Sequence, residues 1–278
     1  MTTKYHESVM VKEVLENLHI NTGSKIIDCT LGTGGHAEAL VNKGVEVLGI
    51  EVDPRMLRVA KERLGDNAKL VLGNFSNIDR IAIENGFEKV DGILFDLGVS
   101  NLHLKADKRG FSFTEKDQLL DMRLNPDIQG VAAYDLLNAL DKTQLTNLFA
   151  KVLKMHEAVE LAKRVFENRP IKTVGDLKRL AFGVNKKRGL DSATLPMLAL
   201  RIAVNSELEN LEEVLPKAYE LLRVGGKLVV ITFHSGEEEI VKKFTNGQEK
   251  VIFPNPEEVR NNLSARSAKL YVLEKYEN

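Results

Sequence analysis

The sequence predicts an α/β fold in which a Rossmann-like parallel sheet is interrupted by a helical insertion. Apolar, β-branched runs alternate with helical patterns through the first hundred residues, and one such run leads directly into a glycine-rich turn at 26–36. From about 103 to 204 the periodicity is helical with few strand signals, and the α/β pattern then resumes. We therefore expect a discontinuous domain made of residues 1–104 and 205–278, with a helical insertion over 105–204.

The first half of the chain predicts four buried parallel strands, because a parallel sheet is covered on both faces and its strands are continuously apolar. The runs are Lys25–Thr30, Val45–Val52, Ala68–Gly73 and Val90–Leu97. Helical patterns lie between them, near 35–43, 54–64 and 76–85. Asp53 stands directly before Pro54, which is typical of an acidic cap followed by proline in the first helical turn.

The insertion predicts helices, and the last part of the chain predicts two more helices and two more strands. Ser206 and Glu209 have the spacing of a capping box, and Gly225-Gly226 is typical of a helix end, which together predict a helix over Ser206–Val224. The other predicted helices are Ala132–Ala139, Lys142–Lys154, Glu157–Glu167 and Glu237–Phe244. A strand is predicted over Lys227–Phe233, and a last strand at the edge of the sheet is predicted within Ala268–Glu277.

The charge of the chain is unevenly distributed. The formal net charge is −1, but residues 103–205 carry 18 Lys and Arg against 12 Asp and Glu, and residues 142–190 carry 12 against 4. A basic segment suits a polyanionic partner such as nucleic acid, although a solvated helical surface has the same composition. The middle of the chain is therefore the candidate region for binding RNA.

Composition also excludes several classes of protein. The one cysteine, Cys29, excludes internal disulfides and cysteine-ligated clusters, and we expect it to be a small core residue. The six histidines lack metal-ligand spacing, so no metal is predicted. No signal peptide and no apolar run of about 18 residues is found, so we expect a cytoplasmic protein without a membrane segment.

The glycine turn and the acid that follows it predict a nucleotide-binding unit. Gly32, Gly34 and Gly35 follow the first strand, and Glu51 ends the second, about 20 residues beyond the first glycine. Glycines allow a close approach of the backbone to a ligand, and a carboxylate in this place binds ribose hydroxyls. Because Gly32-x-Gly34-x-x-Ala37 also matches the dinucleotide pattern, both a nicotinamide cofactor and S-adenosylmethionine remain open.

The next two strands also end in candidate site residues. Phe75 follows the third strand, where its ring could lie on an adenine or belong to the core. Asp96 ends the fourth strand and Ser100 follows shortly after it. Transfer of a methyl group to an amine needs an in-line nucleophile and an acceptor for its proton, and Asp96 and Ser100 are the candidate catalytic residues. A buried acid that caps a turn is the alternative for Asp96.

A basic and aromatic segment lies at the start of the insertion. Arg109, Phe111 and Phe113 are interleaved as in proteins that pair phosphates with cations and stack a base on an aromatic ring. The alternative is a loop that its phenylalanines anchor to the core. If the substrate is a base, an exocyclic amine is the favoured target. Methylation at pyrimidine C5 uses a cysteine nucleophile, and Cys29 lies beneath the glycine turn.

Joined together, these blocks resemble the bacterial small-subunit ribosomal RNA cytosine-N4 methyltransferases, the MraW/RsmH family. The resemblance covers nearly the whole chain and implies a class I S-adenosylmethionine-dependent methyltransferase fold. The segments that carry it are His6–Met10, Asp28–His36, Asp91–Ser100, Arg109–Phe113, Leu120–Arg123, Leu200–Glu209, Phe233–Ser235 and Ala265–Ser267.

The resemblance implies methylation of the N4 amine of a cytosine in the decoding region of 16S rRNA. It implies S-adenosylmethionine as the donor and an insertion that recognises RNA. The cofactor contacts assigned from the glycine turn and by position in the family are Gly32, Gly34, Gly35, His36, Glu51, Phe75, Asp96 and His103. The residues assigned to substrate binding are Arg109, Phe111, Phe113, Asp121, Arg123, Arg201, Asn205, His234 and Ser235.

Two other classes of function stay open at this point. Departures from the family pattern at Asn101–His103 and Met155–Ala158 are compatible with a non-catalytic RNA-binding or ribosome-assembly factor of the same fold. A nicotinamide-dependent oxidoreductase rests on the glycine pattern alone.

Overall fold

The structure, a computed structural model, describes residues 8–98, 108–184 and 190–277. These residues form two compact units, one made of the described residues up to 98 and from 208 onward, the other of those between 108 and 207. Within the described ranges no helix combines the length and the apolar character needed to cross a bilayer.

The first unit is built on a seven-stranded sheet. Its strands are β1 (Lys25–Asp28), β2 (Glu46–Glu51), β3 (Lys69–Leu72), β4 (Val90–Asp96), β5 (Leu222–Thr232), β6 (Lys250–Ile252) and β7 (Lys269–Glu274). The spatial order is β3-β2-β1-β4-β5-β7-β6. Strands β1 to β5 are parallel to one another, whereas β7 is antiparallel to both β5 and β6. The predicted α/β fold with a parallel sheet is confirmed.

Helices cover both faces of this sheet. They are α1 (Val11–Leu18), α2 (Gly35–Val41), α3 (Pro54–Leu64), α4 (Ile78–Asn85), α10 (Glu207–Leu221), of which residues from 208 belong to this unit, α11 (Ser235–Thr245) and α12 (Pro256–Asn261). Short 3-10 turns occur at Gly65–Asn67, Phe75–Asn77 and Leu263–Ser267. In β1, Ile26 packs into the core on one face and Ile27 into the core on the other, which is why the parallel strands are continuously apolar.

Local signals act as predicted at two positions in this unit. Asp53 caps α3 by accepting a hydrogen bond from the backbone N–H of Arg55 at 2.8 Å, and Pro54 is the first helical residue. Cys29 is a free thiol and only 2% exposed, as expected for a core residue. Burial raises the pKa of this thiol well above its ordinary value, so it is not a reactive thiolate.

Three predictions for the second half of the sheet unit are wrong. The strand at 269–274 is not at the edge, because β6 pairs with its outer side. Gly225-Gly226 does not end the preceding helix. That helix ends at Leu221, and the glycines lie in an irregularity of β5 where the register against β4 shifts. Ser206 does not cap the start of α10, because its left-handed φ of 49° places it at the end of the helix before.

The second unit is helical. Its helices within the described residues are α5 (Ala133–Ala139), α6 (Lys142–Ala150), α7 (Met155–Glu167), α8 (Val174–Ala181) and α9 (Thr194–Asn205). The predicted helix over 142–154 ends at Ala150, and α7 begins at Met155. The side chain of Asp141 accepts the N–H of Gln144 at 2.8 Å and so caps α6.

Candidate functional site

Three carboxyl groups lie at the ends of adjacent parallel strands of the sheet. Asp28 ends β1, Glu51 ends β2 and Asp96 ends β4, and β1 pairs with both of the other two strands. Because ligands of open parallel sheets bind outside the carboxyl ends of the strands, this edge is the candidate cofactor site. Asp28 was not among the predicted site residues, although the same strand-end signal that indicated Glu51 and Asp96 applies to it.

The glycine turn joins β1 to α2 and uses its glycines in two different ways. Gly32 has φ of 55°, a left-handed conformation that favours glycine, and a Cβ there would lie 3.8 Å from the carbonyl oxygen of Thr30, an ordinary van der Waals distance. Gly34 has φ of 83°, and a Cβ there would lie 3.0 Å from the side chain of Leu64. A Cβ on Gly35 would lie 2.0 Å from Ser8 Oγ. Gly34 and Gly35 are thus required for close packing around α2.

Glu51 connects the end of β2 to the glycine turn. Its Oε2 accepts the N–H of Gly32 at 2.7 Å, and its Oε1 accepts the N–H of Asp53 at 2.8 Å. Burial raises the pKa of Glu51 to about 7, although the two backbone hydrogen bonds act to lower it. Each carboxylate oxygen has a second lone pair, so Glu51 retains acceptor capacity for ribose hydroxyls.

Asp96 contacts a buried histidine. The Nδ1 atom of His36 lies 3.6 Å from Asp96 Oδ2, and its Nε2 lies 2.9 Å from the carbonyl oxygen of Val9. A carbonyl only accepts hydrogen bonds, so Nε2 carries the ring proton. Burial lowers the pKa of His36 to about 4, which makes the ring neutral and leaves Nδ1 as an acceptor. A protonated Asp96 is therefore the form that complements His36.

Two buried carboxylate oxygens at this edge have no hydrogen-bond partner within the described residues. They are Asp28 Oδ2 and Asp96 Oδ1. Unpaired buried acceptors are costly, and they fit a ligand that carries N–H groups or positive charge. This set of acceptor oxygens therefore fits S-adenosylmethionine, which carries an ammonium, a sulfonium and ribose hydroxyls.

Phe75 lies in the 3-10 turn after β3 and is partly buried. Its ring packs edge-to-face on Phe95 with centroids 5.6 Å apart, and it belongs to the rim of the core. One part of the ring therefore serves the core while another part stays accessible. The predicted residues Ser100 and His103 lie outside the described residues.

His234 and Ser235 follow β5 at the same edge. His234 Nε2 lies 3.1 Å from Glu237 Oε1, and Glu237 Oε2 accepts the N–H of Phe233 at 2.7 Å. Ser235 is exposed and is the first residue of α11. The charge of buried Glu237 also contributes to raising the pKa of Asp96, which places another acid near that carboxyl.

In the helical unit, the predicted substrate residues Arg109 and Phe111 are buried, at 7% and 6% exposure. Arg109 Nη1 donates to the carbonyl oxygens of Arg123 at 2.8 Å and Leu124 at 2.6 Å. Its guanidinium lies 5.5 Å from the centre of the Phe111 ring. Phe113 is partly exposed, and the ammonium of Lys178 lies 5.2 Å from its ring centre.

The remaining predicted residues of this unit also have protein partners. Arg123 forms a bidentate pair with Asp121, with Nε to Oδ1 at 2.7 Å and Nη2 to Oδ2 at 2.8 Å. Arg201 forms a similar fork with Glu207, at 2.9 and 3.0 Å. Asn205 donates to the carbonyl oxygens of Met122 and Arg201, both at 2.9 Å. Asn205 and the Asp121–Arg123 pair thus hold the loop around Met122 in shape.

The chain is similar to known proteins over nearly its whole length. The MraW methylase family matches residues 3–251. The "Ribosomal RNA small subunit methyltransferase H" of Thermotoga neapolitana is 40% identical, over 98% of this chain and 96% of that protein. The protein of the same name from Petrotoga mobilis is also 40% identical, over 95% and 99%. A solved rRNA methylase from Streptococcus thermophilus has a TM-score of 0.47 at 14% identity, covering 96% and 94%. The chain belongs to the MraW methylase family.

Proposed function

We propose that this methylase transfers a methyl group from S-adenosylmethionine to the N4 amine of a cytosine in the decoding region of 16S rRNA, in the cytoplasm. The observation that carries the proposal is the joint presence of the glycine turn, Glu51 and Asp96 at one sheet edge of a MraW family member. Family membership favours neither a nicotinamide-dependent oxidoreductase nor a non-catalytic assembly factor.

The bound donor would supply an electrophilic methyl group, and the chain's own residues would hold it. Gly32 supplies the left-handed backbone of the turn, and Glu51 offers its remaining lone pairs to ribose hydroxyls. The partly exposed ring of Phe75 is proposed for the adenine. Gly34 and Gly35 shape the turn, and His36 and His103 complete the proposed cofactor contacts.

Asp96 and Ser100 are the proposed catalytic residues. An amine that gains a methyl group must lose a proton, and an oxygen beside the nitrogen can take it. Asp96 Oδ1 is buried and has no partner within the described residues, so it is available as this acceptor. The choice of an amine over a ring carbon is supported by Cys29, which is buried in the core and therefore not a nucleophile.

We propose that the helical unit is the substrate-recognition insertion, with boundaries near 105 and 204. Its basic composition supports binding of a polyanion. Phe113 is the predicted stacking residue that retains exposed area. Six predicted residues are proposed to act on the RNA mainly by shaping the loops that meet it, namely Arg109, Phe111, Asp121, Arg123, Arg201 and Asn205. His234 and Ser235 are proposed to act on the RNA through their place after β5.

The test is nucleoside mass spectrometry of 16S rRNA from cells that lack this protein, with and without complementation. We expect N4-methylcytidine to disappear at one decoding-region position, to return with the wild-type chain, and to stay absent with Asp96→Asn. Asp66→Asn, an exposed acid of the same unit, is the matched control and should restore the modification. Unchanged N4-methylcytidine in the deletion strain would contradict the proposal.

Purified protein then separates the RNA substrates. Methyl transfer is measured on free 16S rRNA and on isolated small subunits, in each case with wild type and Asp96→Asn. Transfer to either substrate supports an enzyme. Binding of both substrates without any transfer would instead favour the assembly factor.

A further inference from the structure

Asp28 and Asp96 are bridged by one residue, Thr30. The backbone N–H of Thr30 donates to Asp28 Oδ1 at 3.2 Å, and the hydroxyl of Thr30 accepts the backbone N–H of Asp96 at 2.6 Å. Asp28 is 1% exposed, and each of the two carboxyl groups keeps one buried oxygen without a partner within the described residues. Two acids with free acceptor oxygens therefore lie close together on neighbouring strands.

The surroundings of this pair are acidic. The charge of Asp28 raises the pKa of Glu51, and the charges of Asp28 and Glu237 raise the pKa of Asp96. The neighbouring titratable groups are Glu51, Asp53, Glu237, Cys29, His36 and Arg63. Arg63 donates to Glu38 at 2.6 Å, and His36 is neutral. In the described part of the chain, neither carboxyl forms an ion pair with a lysine or arginine side chain.

Two ionised carboxylates at this place would each lack a compensating charge. Burial raises the pKa of Asp28 to about 7 and raises that of Asp96 well above its ordinary range. Like charges in a low-dielectric site cannot both ionise cheaply, so the two groups titrate as a pair. A cation next to them reverses this preference, because it stabilises the ionised form.

We propose that Asp28 and Asp96 act as one proton-holding carboxyl pair, which retains a proton in the free protein and releases it when a cationic sulfonium donor binds. The proposal rests on the proposed cofactor and adds a role for Asp28, as a positioning residue that acts through Asp96. S-Adenosylmethionine carries one positive charge more than S-adenosylhomocysteine, its neutral thioether product. The pair would therefore favour the donor over the product by charge.

Proton release makes a thermodynamic prediction about affinity. Binding that expels one proton strengthens with rising pH, by up to about tenfold per pH unit below the pKa of the free protein. The affinity for S-adenosylmethionine should rise between pH 5.5 and pH 7 and then level off. The affinity for S-adenosylhomocysteine should change much less, because it brings no sulfonium charge to the pair.

The test is isothermal titration calorimetry of the full chain without RNA. Each ligand is titrated at pH 6.5 in phosphate, PIPES and Tris, whose ionisation enthalpies differ. The slope of the observed binding enthalpy against the ionisation enthalpy of the buffer gives the number of protons released. For the wild type we expect between about half a proton and one proton for S-adenosylmethionine, and clearly fewer for S-adenosylhomocysteine. Asp28→Asn should at least halve the number for S-adenosylmethionine, and Asp66→Asn should leave it unchanged.

Several outcomes would overturn the proposal. Equal proton numbers for the two ligands in the wild type would do so, and this comparison does not depend on any variant folding. An unchanged number in a folded Asp28→Asn protein would do so too. If S-adenosylmethionine fails to bind at any pH, both the cofactor site and the pair are refuted. Donor-specific proton release by a protein that leaves cytosine N4 unmethylated would support the pair and contradict the RNA target alone.

Discussion

Replacement of Asn205 by alanine tests whether this residue supports the fold of the helical unit or contacts RNA directly. Asn205 is 9% exposed and makes at least four hydrogen bonds. Its Nδ2 donates to the carbonyls of Met122 and Arg201, and its Oδ1 accepts from the N–H of Leu124 at 3.1 Å and from Gln129 at 3.0 Å. Met122 has φ of 61°, a left-handed conformation that is rare for a non-glycine residue. The amide therefore holds a strained segment in place.

The cost of the substitution follows from these contacts. Each hydrogen bond contributes about 1 kcal/mol net, and a buried group left without a partner costs about 1–3 kcal/mol. Some groups will gain water in the space left by the amide. We therefore expect Asn205→Ala to lower the free energy of unfolding by about 2–4 kcal/mol. Asn205→Asp keeps the acceptor but turns a carboxylate oxygen toward two carbonyls, so its stability should fall further as pH rises and the new acid ionises.

The assay is urea unfolding followed by circular dichroism, together with hydrogen exchange of the backbone amides. The matched control is Asn168→Ala in the same unit, because the Asn168 side chain makes an exposed hydrogen bond to the carbonyl of Arg164. That change should cost less than about 1 kcal/mol. In Asn205→Ala the N–H of Leu124 should exchange faster, since it loses its acceptor.

The reasoning would be refuted if Asn205→Ala were no less stable than Asn168→Ala while its affinity for 16S rRNA fell tenfold or more. That combination would mean that the amide points to the RNA. A loss of stability with a matching loss of affinity for every RNA tested would support the positioning role.

Two further predictions concern the sheet unit. Glu51→Ala should weaken S-adenosylmethionine binding at least tenfold by calorimetry, because it removes both a ribose acceptor and the hydrogen bond to Gly32. Glu51→Gln should lose less affinity. An affinity equal to that of the wild type in Glu51→Ala would contradict the assignment. The stability of the free protein should decrease as pH rises from 5 to 7, because folded Asp28, with its pKa raised to about 7, binds a proton more tightly than the unfolded chain does. At about 1.4 kcal/mol per pKa unit, the shift from 3.8 to about 7 makes the contribution of Asp28 fall by about 2–3 kcal/mol between pH 5 and pH 8. Asp28→Asn should reduce the pH dependence by this amount. Urea unfolding at pH 5, 6, 7 and 8 measures it, and an identical slope in that variant would count against the assignment.

The parallel half of the sheet could be predicted closely from the sequence. The observed β1 to β4 end within two residues of the predicted runs, since each run ends at or just before a glycine or an acid. The predicted burial holds for β1, β2 and β4 but is wrong for β3, which lies at the edge of the sheet and is partly exposed. The strand-end rule then places Glu51 and Asp96 at one edge without any knowledge of side-chain contacts. Buried parallel strands leave a strong local signal because both of their faces must be apolar.

The antiparallel half of the sheet could not be predicted as well. The strand at Lys250–Ile252 is three residues long and largely exposed, so it carries no periodic signal. It exists because the outer edge of β7 offers unpaired backbone groups. Ser206 and Glu209 match a capping box in sequence, yet the backbone at Ser206 is left-handed. The same residue types suit a helix start and a tight connection between helices, and only the backbone path distinguishes them.

The sequence by itself determined the class of fold and the family, and it supports the proposals of a cofactor-binding edge and of a helical insertion. These features depend on local periodicity and on residue types in short segments. Tertiary structure decided which polar residues of those segments face inward, because Asn205 and Leu124 are 81 positions apart and no spacing rule connects them. It also showed that Asp28 and Asp96 each keep one buried carboxyl oxygen without a partner within the described residues, which depends on the folded surroundings and not on either strand alone.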